Sequence, residues 1–121
     1  MAKINSKKTV VNGITFDSKT ESEYYQYLLN DPAVIDIEIQ PKYTLIPSFE
    51  CVGYKDKPVM RKRQPMTYTA DFKVTYDDHV EVVDVKGFSN DRFPVKKKLW
   101  EYQHGKQLTV VKKKKGGWVK S

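Results

Sequence analysis

The stretch VEVVDVKGF, Val80 to Phe88, alternates apolar and charged residues and then sets Asp84, Val85 and Lys86 directly before a glycine. Side chains alternate along a strand, so Asp84 and Lys86 project from one face, at the end of an apolar row holding Val80 and Val82. Val83 and Val85 face the other way, and Gly87 lets the backbone turn away. The preceding run, MTYTADFKVTY (Met66 to Tyr76), supplies a second acid, Asp71. If the two runs pair around a turn at Asp77–Asp78, positions whose numbers sum to about 155 lie opposite, so Asp71 meets position 84, give or take one. Like charges opposite one another cost free energy. Lys86 neutralises part of that charge, and a divalent cation would neutralise the rest; oxygen ligands select Mg²⁺ or Mn²⁺.

Such a constellation has a chemical use. A divalent cation held by carboxylates polarises a phosphodiester and lowers the pKa of bound water, while a neighbouring lysine orients that water and stabilises developing negative charge. The competing reading of Asp84 and Lys86 is a structural salt bridge on an exposed strand end, and an acid-x-lysine triplet by itself does not separate the two.

The elements that must position these groups follow from local signals. VVNGITF (Val10 to Phe16) reads as a hairpin, with Asn12 and Gly13 supplying positive φ. DSKTESEYYQYLLND reads as a helix whose Ser18 and Glu21 fit a capping box; Tyr24, Tyr25, Leu28 and Leu29 form its apolar stripe, and Asp31-Pro32 ends it. VIDIEIQPKYTLIP reads as two extended segments split at Pro41. Residues 48–64 read as a long excursion, with a hairpin as one form of it. Met66 to Tyr76 is one strand carrying Tyr68, Ala70, Phe72, Val74 and Tyr76 on one side. SNDRFPVKKKLWEYQHG is a second helix: Asn90 or Asp91 caps it, Pro94 sits in its first turn and Gly105 closes it, with Val95, Leu99 and Tyr102 on one face and Trp100 near it. QLTVVK is a last strand. The expected fold class is α/β, a mixed sheet flanked by two helices in the order αβββαβ after an N-terminal hairpin. The expected division is a basic arm at 1–8, one domain at 9–112 and a flexible basic tail at 113–121.

Composition bounds the rest. The chain has 121 residues, 39% hydrophobic and 31% charged, which suits one globular domain with a modest core. No apolar run approaches the roughly 18 residues a membrane span needs, and the N-terminus lacks an apolar signal region, so a cytoplasmic location is the default expectation. The single cysteine, Cys51, cannot form an internal disulfide or by itself anchor a thiolate zinc site, and His79 and His104 are expected at the surface. The formal net charge is +7. The cations cluster at Arg61, Lys62 and Arg63, at Lys96, Lys97 and Lys98, and at Lys112 to Lys115, as expected of a polyanion-binding protein or of a solubilising surface.

YTADF followed 13 residues later by DVKG resembles the PD-(D/E)XK nuclease signature. With FDSKTESEYYQYL, IQPKYTLIP and VKKKLWEYQHG, residues 12 to 112 resemble small phage-encoded proteins of the endonuclease I and Holliday-junction-resolvase kind. The resemblance implies a restriction-endonuclease-like core. It implies Asp71 and Asp84 as metal-binding acids and Lys86 as the catalytic lysine. Glu21 matches a helix glutamate that many such nucleases bring to the metal, in competition with its capping role, and Val85 joins the metal set. Lys96 matches a phosphate-contacting cation, and Lys97 and Lys19 are further expected nucleic-acid contacts. Arg61, Lys62 and Arg63 are expected contacts too, but their excursion has no counterpart in the family core, and contacting a partner or being a plain loop are its alternative roles. Gln40 fits the strand pattern with no firm role. Two departures stand out: Ala70 replaces the proline before the first acid, and the second acid is Asp where Glu is commoner.

The leading expectation is a Mg²⁺- or Mn²⁺-dependent DNA endonuclease selective for branched DNA and acting as a homodimer, since resolving a four-way junction needs two symmetric cuts. The alternatives are a monomeric nuclease of ends or flaps, a non-catalytic basic DNA-binding module that keeps the fold, and a structural phage component with incidental charge.

Overall fold

A computed structural model describes residues 9–55, 59–86 and 93–121. Asn12 and Gly13 adopt φ of 52° and 78°, the left-handed values a two-residue turn needs, and fold Thr9–Val11 (β1) back on Ile14–Phe16 (β2). Ser18, in extended conformation, then accepts the Glu21 N–H on its hydroxyl at 3.1 Å and starts α1, Lys19–Leu29. Tyr24 and Leu28 are buried as the stripe predicts, but Leu29 is exposed, one residue (about 100°) beyond the packed face. Ser22 is buried instead, its hydroxyl satisfied by the Lys19 carbonyl at 2.7 Å.

Val34–Ile39 (β3) and Lys42–Ile46 (β4) are separated at Gln40, which takes φ 52°, and Pro41. Phe49–Val52 (β5) and Met60–Arg63 (β6) form a hairpin. Met66–Thr69 (β7) pairs with β4, Phe72–Tyr76 (β8) pairs with β3, and Val80–Lys86 (β9) returns beside β8. Phe93–His104 (α2) carries the chain across to Thr109–Lys114 (β10), which lies parallel to β9, and Gly117–Lys120 (β11) closes the sheet edge. The result is a mixed α/β fold with a five-stranded mixed sheet, in the order β11-β10-β9-β8-β3, and two helices. The elements that build it before β11 run α1, β3, β8, β9, α2, β10.

The two sides of β9 feed two cores. Val83 and Val85 pack with Phe72, Val74 and Val111 beneath Tyr24 and Leu28 of α1. Val82 packs with Trp100 of α2, Leu108, Leu45, Tyr68 and Ala70.

Three expectations need correction. The run from Met66 to Tyr76 is two strands, broken at Ala70–Asp71, and Tyr68 and Ala70 pack on the α2 side while Phe72 and Val74 pack on the α1 side. The cause lies on the neighbouring strand: Pro41 has no N–H to donate and Gln40 turns left-handed, so both ladders bend together, joined by Gln40 N–H to Asp71 O at 3.0 Å and Ala70 N–H to Pro41 O at 3.0 Å. In α2 the buried residue is Trp100, flanked by Phe93 and Leu99, whereas Val95 and Tyr102 are exposed. Residues 113–121 are no loose tail: Gly116 and Gly117 turn the chain at positive φ, β11 pairs with β10, and Trp118 packs against Tyr24 at 5.0 Å between ring centroids. The basic arm at 1–8, the turn at Gly87 and the caps Asn90 and Asp91 lie outside the described residues. Among the described residues no helix is long and apolar enough to cross a membrane.

Candidate functional site: a carboxylate pair beside a lysine

The register between β8 and β9 pairs Phe72 with Val83, Lys73 with Val82 and Val74 with Glu81, each pair summing to 155 as expected. One step further, at the bend, Asp71 comes opposite Asp84. Its main chain is fully engaged, with N–H donating to Val83 O at 3.1 Å and C=O accepting from Gln40. Its carboxylate Oδ2 accepts the N–H of Val85 at 2.7 Å, standing where a ladder carbonyl would stand. At the bend the Asp71 side chain thus takes over a main-chain role toward β9.

Asp84 is buried, 7% exposed, which is unusual for a carboxylate unless it is paired. Two groups hold it. The Tyr68 hydroxyl donates to Oδ2, and the Lys86 ammonium lies 3.7 Å from Oδ1. The same ammonium sits over the Phe93 ring, 3.4 Å from its centroid, in a cation–π arrangement. Burial, reinforced by Asp84, raises the Tyr68 phenol, so Tyr68 stays a donor across the whole neutral range. Glu21 approaches from the first turn of α1 and exchanges a hydrogen bond with Asp71. Its backbone N–H serves the cap while its carboxyl serves the cluster, so the two roles set in competition by sequence coexist in one residue.

The electrostatics follow from crowding. Burial, then Asp84 and Glu21, push Asp71 up to about 9. Burial, then Asp17 and Asp84, push Glu21 up to about 7. One lysine does not compensate this much negative charge, so the metal-free site holds protons at neutral pH.

Of the expected site residues, Asp71, Asp84, Lys86 and Glu21 are brought together. Val85 joins them through its N–H, and its side chain belongs to the α1 core. The expected cations stand on other elements: Lys19 is exposed in α1, Lys96 and Lys97 are half-buried on α2, and Arg61, Lys62 and Arg63 are exposed on β6. Lys97 is ion-paired with Glu101 at 2.9 Å. Gln40 contributes through its backbone turn. Tyr68 and Phe93 were not anticipated. A tyrosine in a buried row needs a partner for its hydroxyl, which is a signal for Tyr68; nothing local marks Phe93.

The donor chemistry suits a hard divalent cation, being oxygen only and excess in negative charge. Among the described residues, however, no three His, Cys, Asp or Glu side chains converge as a group able to hold a metal ion. The pair Asp71–Asp84 is therefore the centre, with Glu21 beside it.

Fold and site together define a mixed α/β protein with a carboxylate pair, Asp84 buried and Asp71 half-buried, and a lysine at a sheet bend. Residues 1–118 match the family described as "Protein of unknown function (DUF1064)", and the chain belongs to that family. No curated protein and no solved structure matches it.

A pH dependence follows from the crowding. Groups raised on folding hold protons that the unfolded chain releases, so their contribution is fully present below the ordinary carboxylate range and is lost as pH rises through about 7 for Glu21 and about 9 for Asp71. In EDTA, the melting temperature of the wild type is expected to fall relative to Asp71→Asn as pH rises across that window. The asparagine keeps an acceptor for Val85 N–H. Calorimetry of both proteins across the window checks this, and a wild type that gains on the variant with rising pH would refute it.

Proposed function

We propose that this protein is a metal-dependent DNA endonuclease with a restriction-endonuclease-like, PD-(D/E)XK core. The observation that carries the proposal is that Asp71, one step past the last β8–β9 pair Phe72–Val83, binds the Val85 N–H beside Asp84, with the Lys86 ammonium 3.7 Å from Asp84. The order α1, β3, β8, β9, α2, β10 supports the same reading, as do the sequence motifs at these positions.

Asp71 and Asp84, with Glu21 beside them, are the groups that would hold Mg²⁺ or Mn²⁺. When bound, the cation supplies Lewis acidity toward a phosphodiester. Lys86 stabilises negative charge that develops on phosphate oxygens. Tyr68 fixes the rotamer of Asp84, and Phe93 fixes the ammonium of Lys86. The cations on α1, α2 and β6 grip backbone phosphates, which makes binding steep in salt and poor in sequence information. Selectivity for branched DNA and action as a homodimer complete the proposal.

The test is cleavage of four-way-junction, flap and linear DNA by purified protein. Cutting with Mg²⁺ or Mn²⁺, none in EDTA, and preference for the junction are expected; no cutting of any substrate with either ion would refute the proposal. One observation favours a second reading, a basic DNA-binding module without catalysis: no three ligating side chains converge among the described residues. That reading predicts DNA binding indifferent to divalent ions and to substitution of Lys86.

A further inference from the structure

The β5–β6 hairpin is a two-stranded sheet of its own, and its members lie in neither hydrophobic core. All four residues of β6 are exposed. In β5 only Cys51 is partly covered. A ribbon that buries so little gains little for folding, so its composition is free to serve contact with something else.

That composition differs between its faces. The register pairs Phe49 with Arg63, Glu50 with Lys62, Cys51 with Arg61 and Val52 with Met60. Residues directly opposite share a face and successive residues alternate. Phe49, Cys51, Arg61 and Arg63 therefore form one face; Glu50, Val52, Met60 and Lys62 form the other. On the second face Lys62 lies opposite Glu50 and the charges cancel. On the first face two arginines stand about 6.8 Å apart along the strand with no acid among them. Neither guanidinium enters an ion pair among the described residues. Gly53 leaves room for the stem of Arg61: a side-chain carbon there would meet Val59 O at 3.1 Å and Arg61 Nε at 3.4 Å. Between strands, directly opposite Arg63, Phe49 exposes 48% of its surface.

Exposed arginines flanking an exposed aromatic ring are a means of gripping unpaired nucleic acid. The guanidinium groups neutralise phosphates and the ring receives a base, which a duplex does not offer because its bases are already stacked. We infer that the Phe49–Arg61–Arg63 face of the β5–β6 ribbon binds a single-stranded nucleic-acid segment. The inference rests on the nuclease reading only in its link to branched substrates: a protein that holds an unpaired strand on this ribbon and cuts phosphodiesters favours DNA with a branch or a flap.

The experiment is fluorescence anisotropy of a labelled oligothymidylate and of a labelled duplex, titrated with protein in EDTA over a range of KCl concentrations, so that binding is read without cleavage. Phe49→Ala is expected to weaken oligothymidylate binding about 5- to 160-fold, the scale of one lost base stack, and to leave duplex binding unchanged. Arg61→Ala with Arg63→Ala is expected to reduce the salt slope on the single strand by about 1.4, for two phosphate contacts. Val52→Ala, an uncharged position on the opposite face, is expected to leave that slope unchanged. Wild-type binding by the Phe49 and double-arginine variants would overturn the inference. So would equal losses on both probes, or loss of a dimer in sedimentation by Phe49→Ala with DNA binding intact, which would mark the face as a contact between copies. Failure of the wild type to cleave with Mg²⁺ bears on the carboxylate site and leaves these binding outcomes standing.

Discussion

Asp84→Asn is expected to lower metal-dependent cleavage by about 10²- to 10³-fold or more, the scale on which losing one fixed electrostatic group acts, while DNA binding stays within a few-fold of wild type. The substitution is nearly isosteric, and its amide oxygen still accepts from Tyr68, so the buried hydroxyl keeps its partner. What is lost is a negative charge that a cation would need. The same loss relieves Asp71, which burial and Asp84 hold up at about 9. The metal-free variant is therefore expected to melt at a higher temperature than metal-free wild type, although it is inactive. A simple folding defect gives inactivity with a lower melting temperature, so the two readouts separate a lost function from a lost structure. Full cleavage by a rigorously purified variant would contradict the role given to Asp84.

The second large effect is expected at Lys86. Its ammonium has two neighbours, Asp84 and the Phe93 ring, and stands with its carboxylate partner at the end of a buried row. Lys86→Met keeps the length and apolar stem and removes the charge. Its cleavage rate is expected to fall about 10²- to 10³-fold, with little change in the concentration of DNA needed for half-maximal rate. Lys86→Arg retains the charge with a broader, planar head that cannot occupy the same point over Phe93. It is expected to recover the stability lost in the methionine variant without recovering the rate. A purely structural salt bridge predicts the reverse pairing: stability and activity would rise and fall together. Rates within threefold of wild type for both variants would remove Lys86 from the chemistry.

Much of this arrangement is readable from the chain. The Asn12-Gly13 turn, the Ser18 cap, the break at Pro41 and the register across Asp77–Asp78 are local signals with one dominant physical outcome each, and the structure follows them. Alternation along Val80 to Lys86 was enough to place Asp84 and Lys86 on one face, because residues two apart share a face and a one-residue slip would turn Asp84 toward the α1 core. Non-local outcomes were not legible. The bend at Ala70–Asp71 depends on a left-handed Gln40 thirty residues earlier, and without it Tyr68 reads as one more member of the row that includes Phe72. The buried face of α2 is set by where Leu45 and Tyr68 wait for Trp100, which periodicity within the helix does not reveal. The lysine-rich C-terminal segment reads as solvated by composition, yet one tryptophan, Trp118, reaches Tyr24 and helps tie the segment down.

At the site itself, charge explains what geometry alone does not. A buried carboxylate normally has a cation or a set of donors to itself. Here Asp71 has the Val85 N–H, Asp84 has Tyr68 and a shared lysine, and Glu21 leans on Asp71. The arrangement is costly in the metal-free protein. Under the proposed function a doubly charged ion would replace the protons and offset that cost, which is how perturbed carboxylates serve functional sites.

Electron paramagnetic resonance of free Mn²⁺, titrated with metal-free protein, tests this most directly, since it needs neither substrate nor turnover. Saturable uptake is predicted for the wild type, with competition by Mg²⁺, proton release on binding, and loss of uptake in Asp71→Asn and Asp84→Asn. A wild-type titration in which the free-ion signal stays undiminished, or in which both variants take up the ion as the wild type does, would contradict the assignment of these carboxylates to a shared cation.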